Sequence, residues 1–255
     1  MPDQRDDFYV GYLPIPHAHA RLIRVGVPAL LWLCALVVGA LAWTQRDPGP
    51  ASWSALGDGA IGTWTGIYRA EPYPMLESTN NNGQPVTYLI VRQGKLGAPD
   101  TLDIHDGKRV WVEGWAIRRQ GRTMIELAPD EGFRPDIEQT TYSPPTPPEQ
   151  LGTVTLRGEI VDSKCYLGAM KPGDGKAHRA CATLCINGGI PPTLITYADD
   201  SENGFYLLTT HDGRSAVELV RPFIAQPVSI TGELEQHGDI ALLRVADDGI
   251  KRITR

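Results

Sequence analysis

The sequence predicts a mainly β protein: an N-terminal transmembrane helix, then two small β-barrel modules, the second carrying an inserted Cys/His helix-loop cassette. Three observations predict it. Val25 to Trp43 reads VGVPALLWLCALVVGALAW, a run of 19 residues without a charge. Two stretches of short, turn-punctuated apolar strands then repeat each other's pattern. One segment, 162–192, holds three of the chain's four cysteines.

The composition sets outer bounds. A chain of 255 residues can build one large domain or two small ones. A formal charge of -6 with no Lys/Arg block argues against a nucleic-acid partner. Gly 27 and Pro 21 suit a turn-rich fold.

Residues 25–43 are the anchor. As a helix they span roughly 28 Å, close to a bilayer's hydrocarbon core. Pro28 falls in the first turn, where a missing N–H matters little. Arg21 and Arg24 precede the span and place the tail, residues 1–24, in the cytoplasm. A signal peptide cleaved near Ala40–Ala42 is the rival, but its leader would be long and would hold Asp3, Asp6 and Asp7. Either way the bulk of the chain lies outside the cytoplasm: in a bacterium, an inner-membrane protein with one span and an oxidising, periplasmic body. The aromatic segment 7–16 suits the membrane interface or a membrane-embedded partner. His17 and His19 belong to the tail, and Cys34 is a small apolar residue of the span.

Residues 54–134 form module 1, 135–150 a Pro-rich linker, and 151–255 module 2. The repeat aligns Gly66 with Gly158 at an offset of 92, and Tyr88 with Tyr206 and Gly114 with Gly232 at an offset of 118. The second copy therefore carries 26 extra residues between its first strand and its Tyr-Leu strand. They coincide with the Cys/His segment. A surface connection tolerates such an insertion at little entropic cost, but a long loop without a core of its own usually serves a purpose. The linker reads as semi-rigid, which makes module 1 a candidate spacer between the membrane and module 2. Trp64, Trp111 and Trp115 are expected in the core or on barrel faces. Helix is expected around Arg179–Ile186 and Ala216–Ile224.

The candidate metal ligands are Cys165, His178, Cys181 and Cys185. On a helix His178, Cys181 and Cys185 fall at i, i+3 and i+7, along one face, with Cys165 supplied by the end of the preceding strand. Three thiolates and an imidazole suit tetrahedral zinc; thiolates also suit copper or an iron–sulfur cluster. Met170 could add a thioether to copper. Asp162 could orient a ligand imidazole from behind. Lys171 and Lys176 sit on a turn-rich, solvated tip, and Asn187–Gly188 suits a left-handed helix cap. The alternatives are one disulfide with a leftover thiol, which would staple the cassette, or buried thiols that only pack.

The V-x-V-x-G pattern, a Gly turn and an amphipathic strand resemble the fourth and fifth strands of OB-fold barrels. The segments GEIVDSKCY and HRACATLCINGGIP resemble a motif of bacterial membrane-anchored OB-fold-like proteins, D-x-x-C-Y followed by H-x-x-C-A-x-x-C. That resemblance covers about residues 156–254 and implies a metal or cofactor role. One anchor plus an extracytoplasmic barrel is also similar to the haem chaperones of cytochrome c maturation. His237, in a tight QHGD turn, lacks their haem-attachment surroundings.

No Ser-His-Asp order, phosphate loop, dinucleotide fingerprint or HExxH is present. The expectation is a binding or accessory protein rather than an enzyme, serving as subunit or assembly factor of a membrane redox complex. The alternatives are a thiol-disulfide-active protein and a disulfide-stapled scaffold without metal.

Overall fold

The computed structural model describes residues 17–44, 51–52, 61–80, 82–129, 132–137, 141–196 and 204–253. The aromatic segment 7–16 lies outside them, as do most of the N-terminal tail and the residues just after the span. The chain divides into two compact units, Met1–Gly49 and Pro50–Arg255.

The first unit is helical: α1 (His17–Arg21), a π-turn over Leu22–Gly26, and α2 (Val27–Thr44). The stretch His19–Trp43 is long and apolar enough to cross a membrane. Its large side chains, Leu30, Trp32 and Leu36 among them, are exposed.

The second unit holds two barrels of one topology. In the first, β2 (Gly62–Arg69), β3 (Met75–Thr79), β4 (Pro85–Val91), β5 (Arg109–Arg119) and β6 (Arg122–Leu127) close in the order β2-β3-β4-β6-β5-β2. Only the β4–β6 pair is parallel. Two short strands, β1 (Ala51–Ser52) and β7 (Phe133–Pro135), add to β5. In the second, β8 (Glu149–Asp162), β9 (Pro192–Thr196), β10 (Phe205–Thr209), β11 (Pro227–His237) and β12 (Ile240–Arg252) close in the same order, with β10–β12 parallel. This five-stranded closed arrangement is the OB-like barrel expected for each module.

The repeat holds at the level of register. Leu89 pairs with Met124, and Leu207 with Leu242; both residues of the second pair stand 118 positions on. The matched glycines have one physical reason. A Cβ at Gly66 would meet the Glu77 carbonyl at 2.2 Å, and one at Gly158 would meet the Ile195 carbonyl at 2.0 Å. Gly114 and Gly232 are likewise pressed on the carbonyls of Glu126 and Arg244. Each barrel turns two corners where no side chain fits. The insertion is where the offset placed it: residues 70–74 join β2 to β3, whereas 163–191 join β8 to β9.

Module 1 packs directly against module 2. Each barrel has its own interior, around Tyr68, Ile90 and Ile125 in one and Ile160, Leu208 and Leu243 in the other. A further cluster joins them: Tyr73, Leu89, Val91, Ile117 and Met124 pack with Tyr166, Leu167, Cys185, Phe205, Leu207 and Leu242. Tyr73 Oη donates to the Leu208 carbonyl at 2.5 Å and accepts from the Ala216 N–H at 2.9 Å. Nor does the Pro-rich stretch extend freely. The Ser143 and Pro144 carbonyls accept from the Arg69 guanidinium, and the Tyr142 ring covers Gly107. Trp111 lies on a barrel face, 44% exposed on the outside of β5, while the expected helix over Ala216–Ile224 shrinks to a four-residue helix, α4, over Val217–Val220 before a short 3-10 turn.

Candidate metal centre

The site is built where β8 ends. Asp162 closes that strand, paired with Pro192 of β9, and its carboxylate organises the next stretch of chain. Oδ1 accepts the Cys165 N–H at 2.8 Å and so folds the chain out of the strand. A π-turn over Cys165–Ala169 then buries Cys165 and Tyr166. Cys165 thus stands on this turn, just past the strand end. The chain returns close beneath it, for a Cβ at Gly173 would lie 2.6 Å from the Cys165 carbonyl.

Helix α3 (Gly175–Asn187) carries the other ligands and exceeds the expected span at both ends. Its first N–H, from Gly175, donates to Glu159 Oε1 at 2.5 Å, tying the helix start to β8. It ends at Gly188–Gly189, where Gly189 rather than Asn187 or Gly188 takes the left-handed conformation at φ 93°. The spacing does what it suggested: His178 and Cys185 are buried, Cys181 half-buried, all on one face.

The three thiols form a near-equilateral triangle. Cys165 and Cys181 Sγ are 3.9 Å apart, and each lies 4.0 Å from Cys185 Sγ. All three cysteines are free in this structure. Sulfurs bound at about 2.3 Å around one tetrahedral ion would stand about 3.8 Å apart, so the triangle already has coordination dimensions. Ligand atoms of Cys165, His178 and Cys181 lie within 4.8 Å of one another, as do those of Asp162, Cys165 and Cys185. Asp162 Oδ2 meets His178 Nε2 at 2.7 Å with both groups buried. A buried carboxylate on one ring nitrogen is the arrangement that orients metal-binding histidines. Met170 is 43% exposed, away from the burial the thiols share.

Proton sharing is uneven across the triangle. A hydrogen bond with Cys185, with burial, pushes the Cys165 thiol up, while the same contact pulls Cys185 down. Cys185 is therefore the first of the pair to become a thiolate.

Barrel 1 completes the site with a residue that sequence reasoning missed. Lys95, in the loop after β4, places Nζ 2.7 Å from Cys181 Sγ, and this contact raises its pKa. The loop is held by the cassette itself: Lys164 Nζ donates to the Arg92 and Gly94 carbonyls, both at 2.8 Å, and pairs with Glu126 at 2.5 Å. Gly97 N–H donates to the Gly188 carbonyl at 2.8 Å, and a Cβ on Gly188 would strike the Lys95 carbonyl at 1.9 Å. Nothing in the spacing of the cysteines points so far upstream. The signal lay in YLIV, an unbroken apolar run of the kind buried on both faces.

No family model and no curated protein matches the chain. Among solved structures, a deletion variant of the single-stranded DNA binding protein from Thermus aquaticus aligns at 14% identity over 76% of this chain and 94% of that one, with a TM-score of 0.22. So loose an overlap decides nothing about this chain.

Proposed function

We propose that this is a membrane-anchored accessory protein that holds a metal ion, or a small metal-based redox group, in the Cys165–His178–Cys181–Cys185 cassette. The supporting observation is the thiol triangle: three sulfurs at 3.9–4.0 Å, beside an imidazole already oriented by a buried carboxylate. A disulfide needs two sulfurs and would leave the third without a role. Three thiolates and the Asp162 carboxylate leave two negative charges after a divalent ion's two, and the Lys95 ammonium offsets one of them. Zinc bound by all four groups would be structural, because no coordination position stays open. Copper or an iron–sulfur cluster would make the site an electron or metal carrier. With the apolar span as its anchor, the protein would serve a membrane redox complex as subunit or assembly factor, with the N-terminus cytoplasmic and the barrels outside. A formal charge of -6 and no basic block favour a protein partner over nucleic acid.

One observation favours a second reading. Lys95 Nζ stands 2.7 Å from Cys181 Sγ, beside two more free thiols, an arrangement that also suits thiol–disulfide exchange among the three cysteines.

Elemental analysis with thiol counting separates the two. The full chain is purified without an affinity metal. About one metal per chain, lost in both His178→Ala and Cys185→Ser, is the expected result. No metal, with a reversible two-electron change between four thiols, Cys34 included, and two thiols plus a disulfide, replaces the metal reading with the exchange reading.

A further inference from the structure

A second site lies on barrel 1, away from the cysteines. A groove of about 850 Å³ opens on the face of β2 and β3, within the size range of small-molecule sites, about 300–1,000 Å³. It forms because the two strands pair only from Ile67/Glu77 to Arg69/Met75. Beyond that point the ladder gives way to a side-chain bond, Ser78 Oγ donating to the Thr65 carbonyl at 2.6 Å.

Two half-buried aromatic rings, Trp64 and Tyr88, line the groove, their centroids 6.2 Å apart. The indole is laid along its own strand, and the chain makes room for it: a Cβ at Gly62 would sit 2.5 Å from the Trp64 ring. Around the rings stand neutral hydrogen-bonding side chains, Thr63, Thr79 and Asn82 among them. The two charged residues of the lining are already engaged. Glu77 is paired with Arg69 at 2.7 Å, and Arg109 faces Asp136 at 3.5 Å.

This chemistry selects a ligand class. A single-stranded nucleic acid needs unpaired cations to meet its phosphates as well as rings to stack on, and this groove offers rings without free cations. An apolar ligand would leave the threonine and asparagine groups desolvated and unmatched. A hydroxyl-rich neutral ligand fits both features, with C–H faces against the rings and hydroxyls to the amide and threonine side chains. We infer that the β2–β3 groove of barrel 1 is a binding site for a neutral oligosaccharide, with Trp64 and Tyr88 as its platform.

The test uses the full chain in lipid nanodiscs, because glycoside detergents would compete. Chitotetraose, cellotetraose and maltotetraose are titrated by calorimetry, alongside an oligothymidylate and a neutral extended peptide. Saturable binding of at least one tetrasaccharide is expected. It should weaken tenfold or more in Trp64→Leu, and Asn82→Ala, on the exposed hairpin, should weaken it severalfold with the fold intact by circular dichroism. Should Trp64→Leu fail to fold, Asn82→Ala and Thr63→Lys carry the test alone. No tetrasaccharide binding, binding that both rim variants leave unchanged, or preference for the oligothymidylate or the peptide would each overturn the assignment. Cysteine variants should leave sugar binding unaltered, so this site and the metal site stand or fall separately.

Discussion

Replacing Lys164 with Met tests whether the two barrels form one cooperative body. The Lys164 side chain is 4% exposed and its partner Glu126 12%, with 2.5 Å between them. Lys164 also satisfies the carbonyls of Arg92 and Gly94. Methionine fills a similar volume but leaves a buried carboxylate without its cation and two carbonyls without their donor. Breaking a buried pair from one side typically costs about 3–5 kcal/mol, and the stranded carbonyls push toward the upper end. In a body of this size that loss lowers Tm by roughly 6–20 °C. The assay is urea and thermal unfolding of Lys164→Met, Glu126→Gln and the double variant. The double variant should recover much of the loss, because two neutral side chains then share the site. A single transition that moves with the variant is expected. A loss under about 1 kcal/mol, the size usual for exposed pairs, would refute the view that this bridge is buried and joins the barrels.

Other contacts carry their own expectations. Tyr73→Phe strands the Leu208 carbonyl and the Ala216 N–H, and should cost about 1–3 kcal/mol for each group left unpaired in urea unfolding. Burial pushes the Tyr73 hydroxyl up to about 12 from its ordinary 10.0, so above pH 10 the unfolded chain loses a proton that the folded chain keeps. Stability should therefore fall between pH 10 and 12 by about 3 kcal/mol, at 1.36 kcal/mol per unit; Tyr73→Phe should lack that component in pH-dependent unfolding. Gly66→Ala and Gly158→Ala should each destabilise by about 1–3 kcal/mol or more, because the added methyl meets a carbonyl in both barrels; equal melting of variant and parent would contradict the register. Lys95→Met should weaken metal retention against a chelator about tenfold while the unfolding midpoint moves little, since Lys95 is a half-exposed loop residue.

The parts of the fold legible in the sequence were those set by local sterics. Gly114 and Gly232 could be aligned because each barrel needs a residue without a side chain where β5 and β11 crowd a neighbouring carbonyl. The cassette helix was legible because 3.6-residue periodicity puts His178, Cys181 and Cys185 on one face. Asp162 was legible as a carboxylate that could orient a ligand imidazole. What escaped depends on contacts between distant segments. The outer faces of Leu89 and Val91 in barrel 1 and of Leu207 in barrel 2 look like ordinary strand residues until the barrels meet. Lys95 escaped for the same reason, since a lysine between two nearby glycines reads as a solvated turn. The Pro-rich stretch was misread because composition reports stiffness and not whether an arginine such as Arg69 will grip its carbonyls.

The strap at 141–148 changes what the contact between the barrels must achieve. Two independent proteins meeting through that surface would have to overcome the loss of free translation and rotation on every encounter. Here the encounter is intramolecular, and a short tether gives an effective concentration in the millimolar range. An interface too weak to hold two separate molecules at cellular abundance stays shut when its halves share a chain. Cleaving the strap should therefore spare each barrel's interior yet let Lys95 drift from Cys181, turning a composite centre into an open one.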